Sequence, residues 1–355
     1  LTPDGRRKIG QRRTAFNVRD AARNDWQISS GVEQWNANDY LVGVPGGVFD
    51  VETGKLIEGE REHYVTKRCK VAPASGRPSR WLEHLLRMYD GDESMLEWTR
   101  LYFGYCATGA VNEQVFGFWY GMGQTGKGTT LLTVAELLGD YAVSSEASTW
   151  LKRNNEKHLS EMAAFNGARM IVVDEMPSGA AWNEERIKRA TGGGKITCNY
   201  MRSDPFDMRI TFKLAVAGNT KPQLRRVGKE MARRIRLVKC NAMVLDENVD
   251  RNFKSRLVAE EGPQILEWVL SGAQDWVREG LPHPEAIQTA TADYLTTEDV
   301  IGDWLTDCTD QEGEARKTDA YANFKTWMQK QGHEHAWSPQ AWWSALEDRG
   351  YTIHR

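Results

Sequence analysis

No stretch of this 355-residue chain is apolar for long enough to cross a bilayer as a helix, so it is expected in the cytoplasm with no membrane partner. Five cysteines, Cys69, Cys106, Cys198, Cys240 and Cys308, lie too far apart for paired spacing. That argues against a thiolate zinc site and against a disulfide framework, and leaves reduced thiols. The seven histidines do not cluster at ligand spacing apart from His333 and His335, which read as a solvated turn. No internal repeat and no low-complexity tract is visible, which excludes solenoid and fibrous classes. The opening residues lack a signal-like apolar stretch, and a chain that starts at Leu1 is expected to be a piece of a longer polypeptide. What remains, 40% hydrophobic and 27% charged, is a globular balance of a length that suits two or three domains.

Net charge is also small, at −3, but it is unevenly spread. Between Asn183 and Cys240 there are fifteen Lys or Arg against five Asp or Glu, so the rest of the chain is acidic. A basic excess of that size could serve nucleotide phosphates, nucleic-acid phosphates or both, or be a solvated face.

The most informative stretch is Phe118 to Thr130, FWYGMGQTGKGTT. Gly121, Gly123, Gly126 and Gly128 let the backbone close on phosphate, Lys127 can reach the outer phosphates, and Thr129 and Thr130 follow. An apolar run of strand length, Val115 to Tyr120, precedes it. Downstream, Leu131, Leu132, Val134, Ala135 and Leu138 recur at helical spacing. Strand, glycine loop, helix is the order a phosphate-binding loop needs; a plain glycine-rich turn would not require those flanks. After the lysine such loops carry Ser or Thr as a Mg²⁺ ligand. Here the residue is Gly128, which makes Thr129 the candidate hydroxyl.

A second motif is Met170 to Val173, an all-apolar strand ending in Asp174 and Glu175. Acids at the C-terminal end of a buried strand sit where ligands bind in open α/β sheets. Asp174 would hold the Mg²⁺ shell and Glu175 would polarise an attacking water. A helix runs from Asn183 to Gly192, followed by strand-like runs Ile196 to Arg202 and Phe206 to Phe212 about the turn Ser203-Asp204-Pro205. A third run, Lys213 to Ala217, ends at Gly218-Asn219, whose amide could orient water or the γ-phosphate. Beyond it lies the basic run Lys221, Arg225, Arg226, Lys229, Arg233, Arg234 and Arg236.

Residues 5 to 13, GRRKIGQRR, read as a linker, a tail or a nucleic-acid arm. Lys55 to Ile57 pairs with Val48 to Val51 as a hairpin, and residues 81–89 and 94–106 read as helices. PQILEWVLSGAQDWVREG from Pro263 is one amphipathic helix. The tail offers helical patterns over Tyr294 to Cys308, Thr318 to Lys330 and Ser338 to Arg349, then a β run at Tyr351 to Ile353, which together suggest a small winged-helix-like domain. Fourteen Trp residues scattered through every segment favour packing over a base-stacking platform.

Taken in order, GMGQTGKGTT, MIVVDE, TGGGKIT, LAVAGN and ARRIRL resemble the superfamily 3 helicases, in the phage and plasmid primase-helicase branch related to poxvirus primase-helicases. The resemblance covers most of the chain. It implies an α/β fold with an AAA+-type P-loop ATPase core at 111–245 after an N-terminal linker and small α+β leading domain at 1–110. A helical segment at 246–284 and the winged-helix-like domain at 285–355 follow. It implies ATP and Mg²⁺ as cofactors, single-stranded DNA as partner, assembly into a homo-oligomeric ring, usually a hexamer, and 3′ to 5′ translocation. It also implies a fused or associated primase-polymerase. Carried over, Lys127 is the loop lysine, Asp174 and Glu175 the second motif, Asn219 the polar sensor, and Arg234, or Arg233, the arginine that reaches a neighbour's ATP. The family's pore hairpin carries a basic residue that grips DNA, and Arg202 holds that place, with Lys195 second. The expected function is a DNA helicase for phage, plasmid or mobile-element replication; the alternative is an ATP-switched origin-binding protein that does not unwind.

Overall fold

The computed structural model describes residues 11–25, 31–152, 159–177, 179–200, 202–224, 229–243, 250–297, 299–309, 314–332, 337–347, 349 and 351–352. The readings made for residues 5–10, for His333 and His335, for Arg225 and Arg226, and for Ile353 lie outside the described residues.

The described end of the basic start, Arg12 and Arg13, opens a helix. Helix α1 (Arg12–Asn24) lacks Gly and Pro, and the Phe16 ring lies under Arg12 and Arg19 at 5.4 and 4.6 Å, at the spacings that meet on one helix face. An antiparallel sheet follows, with strands β1 (Leu41–Val44), β2 (Gly47–Asp50) and β3 (Lys55–Ile57) in sequence order. Its second turn closes because the Asp50 carboxylate accepts from the Glu52 amide and the Thr53 hydroxyl. Helices α2 (Ser79–Met88) and α3 (Glu93–Ala107) come next, the latter capped by Asp92, which accepts from the Ser94 and Met95 amides.

The central layer is a five-stranded parallel sheet. In chain order its parts are β4 (Phe116–Tyr120), α4 (Lys127–Leu138), β5 (Ala142–Ser144), α5 (Leu159–Ala163), β6 (Met170–Val173) and α6 (Glu184–Thr191). A separate hairpin, β7 (Lys195–Cys198) with β8 (Phe206–Arg209), precedes β9 (Lys213–Gly218), α7 (Lys229–Ala232) and β10 (Ile235–Lys239). The sheet order is β10-β4-β9-β6-β5, every pairing parallel. Strands β6 and β9 are buried along their whole length, as two-sided parallel strands must be. The hairpin strands are shorter than their sequence pattern, which extended to Arg202 and Phe212; pairing stops at Cys198 opposite Phe206.

Helix α8 (Phe253–Arg256) runs through a π turn into α9 (Gly262–Glu279), which lies along α3. Two glycines make that approach possible. A Cβ on Gly104 would fall 2.1 Å from the Ala273 nitrogen, and one on Gly272 would fall 2.4 Å from the Arg100 carbonyl oxygen. Sheet face, α2, α3, α4 and α9 share one apolar cluster that extends from Val42 to Ile287. The segments divided at residues 110 and 245 by the sequence reading are thus packed as one body.

The boundary expected at residue 285 falls before a helix that belongs to the sheet. Helix α10 (Glu285–Thr297) sets Tyr294 into the second apolar cluster, and its Thr291 hydroxyl accepts from the Leu237 amide on the outer edge of β10. A helical period running continuously from Tyr294 to Cys308 was expected, but the helix stops at Thr297 and restarts as α11 (Val300–Cys308) on an Asp299 cap. Helices α11, α12 (Lys317–Lys330) and α13 (Pro339–Glu347) then close around Trp304, Phe324, Trp327 and Trp342. The expected wing at Tyr351 to Ile353 does not form over its described part. Tyr351 donates its amide to the Leu346 carbonyl, ending α13 in a turn, and Thr352 is in no strand. Among the described residues no helix is long and apolar enough to cross a membrane.

One side chain joins these layers. Tyr102, fully buried on α3, donates its hydroxyl to the Leu214 carbonyl of β9 at 2.5 Å and accepts from the Gly117 amide of β4 at 2.8 Å. Tyr102→Phe removes one oxygen and leaves two buried backbone groups unpaired, a loss of about 1–3 kcal/mol for each unsatisfied group at most. Chemical denaturation of the variant should show a lower midpoint at unchanged slope, and an unchanged midpoint would mean that water or another group takes the bond.

Candidate active site

Parallel strands end together at one edge of the sheet, and the order β4-β9-β6 decides which ends meet. Register sets Tyr120 beside Gly218, and Val173 beside Val216. The glycine loop that leaves β4, Asn219 after β9 and Asp174-Glu175 after β6 therefore emerge side by side, although they are scattered over a hundred residues of sequence.

Within the loop, Gly126 adopts φ +93 as the residue before α4, a left-handed geometry that side chains rarely take. Lys127 is buried, its ammonium donating to the Gly121 carbonyl at 2.8 Å, the Met122 carbonyl at 2.7 Å and the Thr125 hydroxyl at 3.1 Å. Burial lowers its pKa, while Cys240 and Asp174 act in the opposite direction. A cation held on carbonyls at the mouth of an exposed glycine turn can exchange them for phosphate oxygens. Gly123 has open space on its Cβ side, so phosphate can approach the backbone there. Gly121 lies close under the Cys240 carbonyl, a Cβ there falling 2.2 Å from the oxygen, which ties the loop to the end of β10.

Gly128 faces the acids. A Cβ at this position would lie 3.2 Å from both carboxylate oxygens of Asp174, so the ordinary Ser or Thr would aim its hydroxyl at that carboxylate. Thr129, the hydroxyl expected to replace it, is rotated about 100° around the helix from that direction. Thr130, expected to contact nucleotide, is fully buried and bonded elsewhere. The metal side of the site thus offers Asp174, with Gly128 close against its carboxylate. Desolvation, then the Glu175 charge, raises the pKa of Asp174, and Lys127 lowers it. Glu175 stands at φ 68, a strained backbone for a non-glycine residue, which turns its side chain out of the line of β6. A cleft of about 400 Å³, lined by residues 144–147, Val172, Asp174 and Glu175, opens at the acids. Asn219 is exposed, and beside it the Thr220 hydroxyl is buried with no hydrogen-bond partner among the described residues. An orphaned hydroxyl, an open glycine backbone and a displaceable lysine are what a triphosphate with its cation would fit.

The sequence reading missed His84. It lies on α2, outside the core proper, with its ring in the space that a side chain at Gly126 would fill, 2.3 Å from the Cβ position. A guanidinium only donates, so Arg87 Nη2 at 3.2 Å makes Nδ1 the acceptor, and Nε2–H donates to the Thr130 hydroxyl at 2.9 Å. Only its spacing from Trp81 and Leu85 marked it, and that reads as core.

The two arginines separate. Arg234 is buried, its guanidinium donating to the Thr191 hydroxyl at 3.1 Å and the Glu230 carbonyl at 2.5 Å, so it is committed within its own chain. Arg233 is exposed. Both precede β10, at the end of the sheet away from Lys127. Six residues of extended chain put them roughly 20 Å from the loop. The hairpin carries Lys195 and Arg202 exposed, Arg202 at φ 60 in its turn. Much of the basic excess is used internally: Arg186 with Glu161, Lys188 with Glu230, Arg189 with Glu185 and Arg209 with Asp39 are ion pairs, and Lys213 is buried.

Residues 4–97 match the family described as D5 N terminal like, and residues 119–234 match a family of unknown function, DUF5906. A protein of Acanthamoeba polyphaga mimivirus named "Putative helicase" is 22% identical over 321 residues, 82% of this chain and 33% of that protein. One of African swine fever virus named "Putative primase" is 24% identical over 199 residues, 54% of this chain and 21% of that one. The chain thus spans a third or less of the length of these relatives. The solved C terminal region of NrS-1 shares the fold at a TM-score of 0.50 and 14% identity, covering 67% of this chain and 56% of that one. These matches support a place for the chain among the primase-helicases.

His84 yields a pH signature. Burial, then the Arg87 charge, lowers its pKa to about 4, against 6.5 for a free imidazole. As pH falls from 6.5 to 4 the unfolded chain takes up the proton first, so stability is lost through that window, on the order of 3 kcal/mol in all. His84→Gln keeps a donor for Thr130 and cannot titrate. Its difference in stability from wild type should shrink as pH drops from 7 to 4, and a difference constant with pH would show that folding does not lower the pKa of His84.

Proposed function

We propose that this chain is the ATP-driven motor of a replicative DNA helicase, working as a homo-oligomeric ring on single-stranded DNA for a phage, plasmid or mobile element. The observation that carries this reading is the meeting of Lys127, Asn219, Asp174 and Glu175 at the ends of three adjacent parallel strands. Lys127 exchanges its loop carbonyls for the outer phosphates. Glu175, turned outward by its backbone, accepts the proton of the attacking water, and Asn219 holds that water or the γ-phosphate in line. Mg²⁺ bound with ATP, on Asp174, would supply neutralisation of phosphate charge. Because Gly128 brings no hydroxyl, water would complete the shell there.

The family resemblance and the relatives' names support the helicase assignment over other phosphoryl-transfer chemistry. Ring size, 3′ to 5′ polarity and an attached primase-polymerase are part of the same reading and rest on the resemblance. Arg233 takes the role first given to Arg234. It is too far from its own loop to act there, so it serves a neighbouring subunit's ATP. The second reading, an ATP-switched initiator, draws on Gly128, since a weaker metal shell suits binding more than turnover.

The test is ATP hydrolysis with and without single-stranded DNA, on material sized in ATP. Lys127→Ala should abolish hydrolysis, and Glu175→Gln should bind ATP without turnover. A Gln variant at wild-type rate would remove Glu175 from the chemistry, and DNA-independent turnover on a monomer would favour the switch.

The shared site has its own test. Arg233→Ala should fold normally and lose roughly 10³-fold or more in hydrolysis, the scale of an arginine finger. Arg234→Ala should lose stability. Mixing Arg233→Ala with Lys127→Ala protein should restore part of the activity, because some boundaries then pair two intact residues. Proven subunit exchange without recovery would sink the ring model.

A further inference from the structure

The β7–β8 hairpin carries an aromatic pair that the active site does not use. Beyond the last pair, Cys198 with Phe206, the Ser203 amide donates to the Tyr200 carbonyl at 3.0 Å in the turn. Tyr200 lies flat on Phe206, ring centroids 5.1 Å apart at 21°. Phe206 packs against the second apolar cluster, while Tyr200 is 50% exposed. The pair is a plate with its inner ring anchored and its outer ring facing water. This contrasts with the tryptophans, six of which are among the largest fully buried side chains.

Charge around the plate does not favour backbone tracking. Arg209 is engaged with Asp39 through two hydrogen bonds, at 2.9 and 2.6 Å. Lys195 and Arg202 are then matched in number by Asp204 and Asp207. A hairpin of that balance attracts phosphates weakly, yet stacking on a flat ring does not depend on charge. One ring among charged neighbours offers the area of a single base and far less than a protein partner buries. Resting on the single-strand reading proposed above, we propose that Tyr200 is a stacking plate for one unpaired nucleobase, with Arg202 reaching the adjoining phosphate. The hairpin would then hold DNA through its bases as well as its backbone.

Fluorescence anisotropy of the full chain in ATP tests this, with an oligothymidylate and a sugar-phosphate strand of equal length that lacks bases. Wild type should bind the base-bearing strand more tightly. Tyr200→Ala should weaken that binding roughly 5- to 150-fold, from the ~1–3 kcal/mol typical of one stacked base, and leave the base-free strand unaffected. Tyr200→Phe and Tyr200→Trp should retain the preference. Equal loss on both strands, or no loss, overturns the stacking role. Equal loss with a changed sizing profile assigns Tyr200 to contact between copies of the chain instead. Absence of any wild-type affinity for either strand would instead overturn the DNA-motor reading itself, and the plate with it.

Discussion

The C-terminal end of helix α3 is where the parts of this molecule are held together. A helix end leaves carbonyls without partners, and here it is buried, so those carbonyls need donors from elsewhere. Arg169, fully buried before β6, donates to the Ala107 and Leu41 carbonyls at 2.8 Å each, with its guanidinium over the Tyr141 ring at 4.4 Å. Lys213, at the start of β9, donates to the Thr108, Ala110 and Thr211 carbonyls and lies over Tyr105 at 4.7 Å. Both cations also sit at the negative end of the helix dipole. Burial lowers the pKa of each, that of Lys213 to about 7, yet both cations meet several carbonyl oxygens and a ring face. Two strands of the central sheet are thereby tied to the leading sheet and to α3, and α9 is tied in turn by the glycine contacts along α3.

This arrangement has a consequence for the phosphate loop. Helix α2 is part of the same packed body, so His84 reaches under Gly126 and Thr130 from outside residues 111–245, while Phe253 of α8 packs against the His84 ring at 5.3 Å. Segments before and after the core thus contact the same turn. The loop and α2 are thus in direct contact, because the space a Gly126 side chain would take is filled by the imidazole.

Basic residues divide by depth. Part of the local excess that suggested phosphate binding is taken up by ion pairs and by buried cations that serve carbonyls, and among the described residues Lys127, Arg202, Lys195 and Arg233 are charges still within reach of phosphates. They lie in three separate places: the loop, the hairpin and the start of β10.

Sequence alone determined the local chemistry, because each motif is contiguous. The glycine loop at 121–128, the apolar strand before Asp174 and Glu175, the hairpin flanking Ser203-Asp204-Pro205 and the amphipathic helix from Pro263 are set by spacing, turn residues and periodicity within a few residues. The leading hairpin and the helices around Trp81 and Trp98 were legible for the same reason. What the sequence could not hold was anything that depends on which strand lies beside which. The order β4-β9-β6 brings Asn219 between loop and acids. The absence of pairing beyond Arg209 shortens the hairpin, and the edge amide of Leu237 recruits Thr291, drawing α10 onto the sheet and away from the tail. Arg233 and Arg234 are adjacent letters of the same type, and only packing against Thr191 and Glu230 buries one and leaves the other free. Gly128, Thr129 and Thr130 likewise differ by one helical step each, and it is the direction of that step in three dimensions that points one at Asp174 and another at His84.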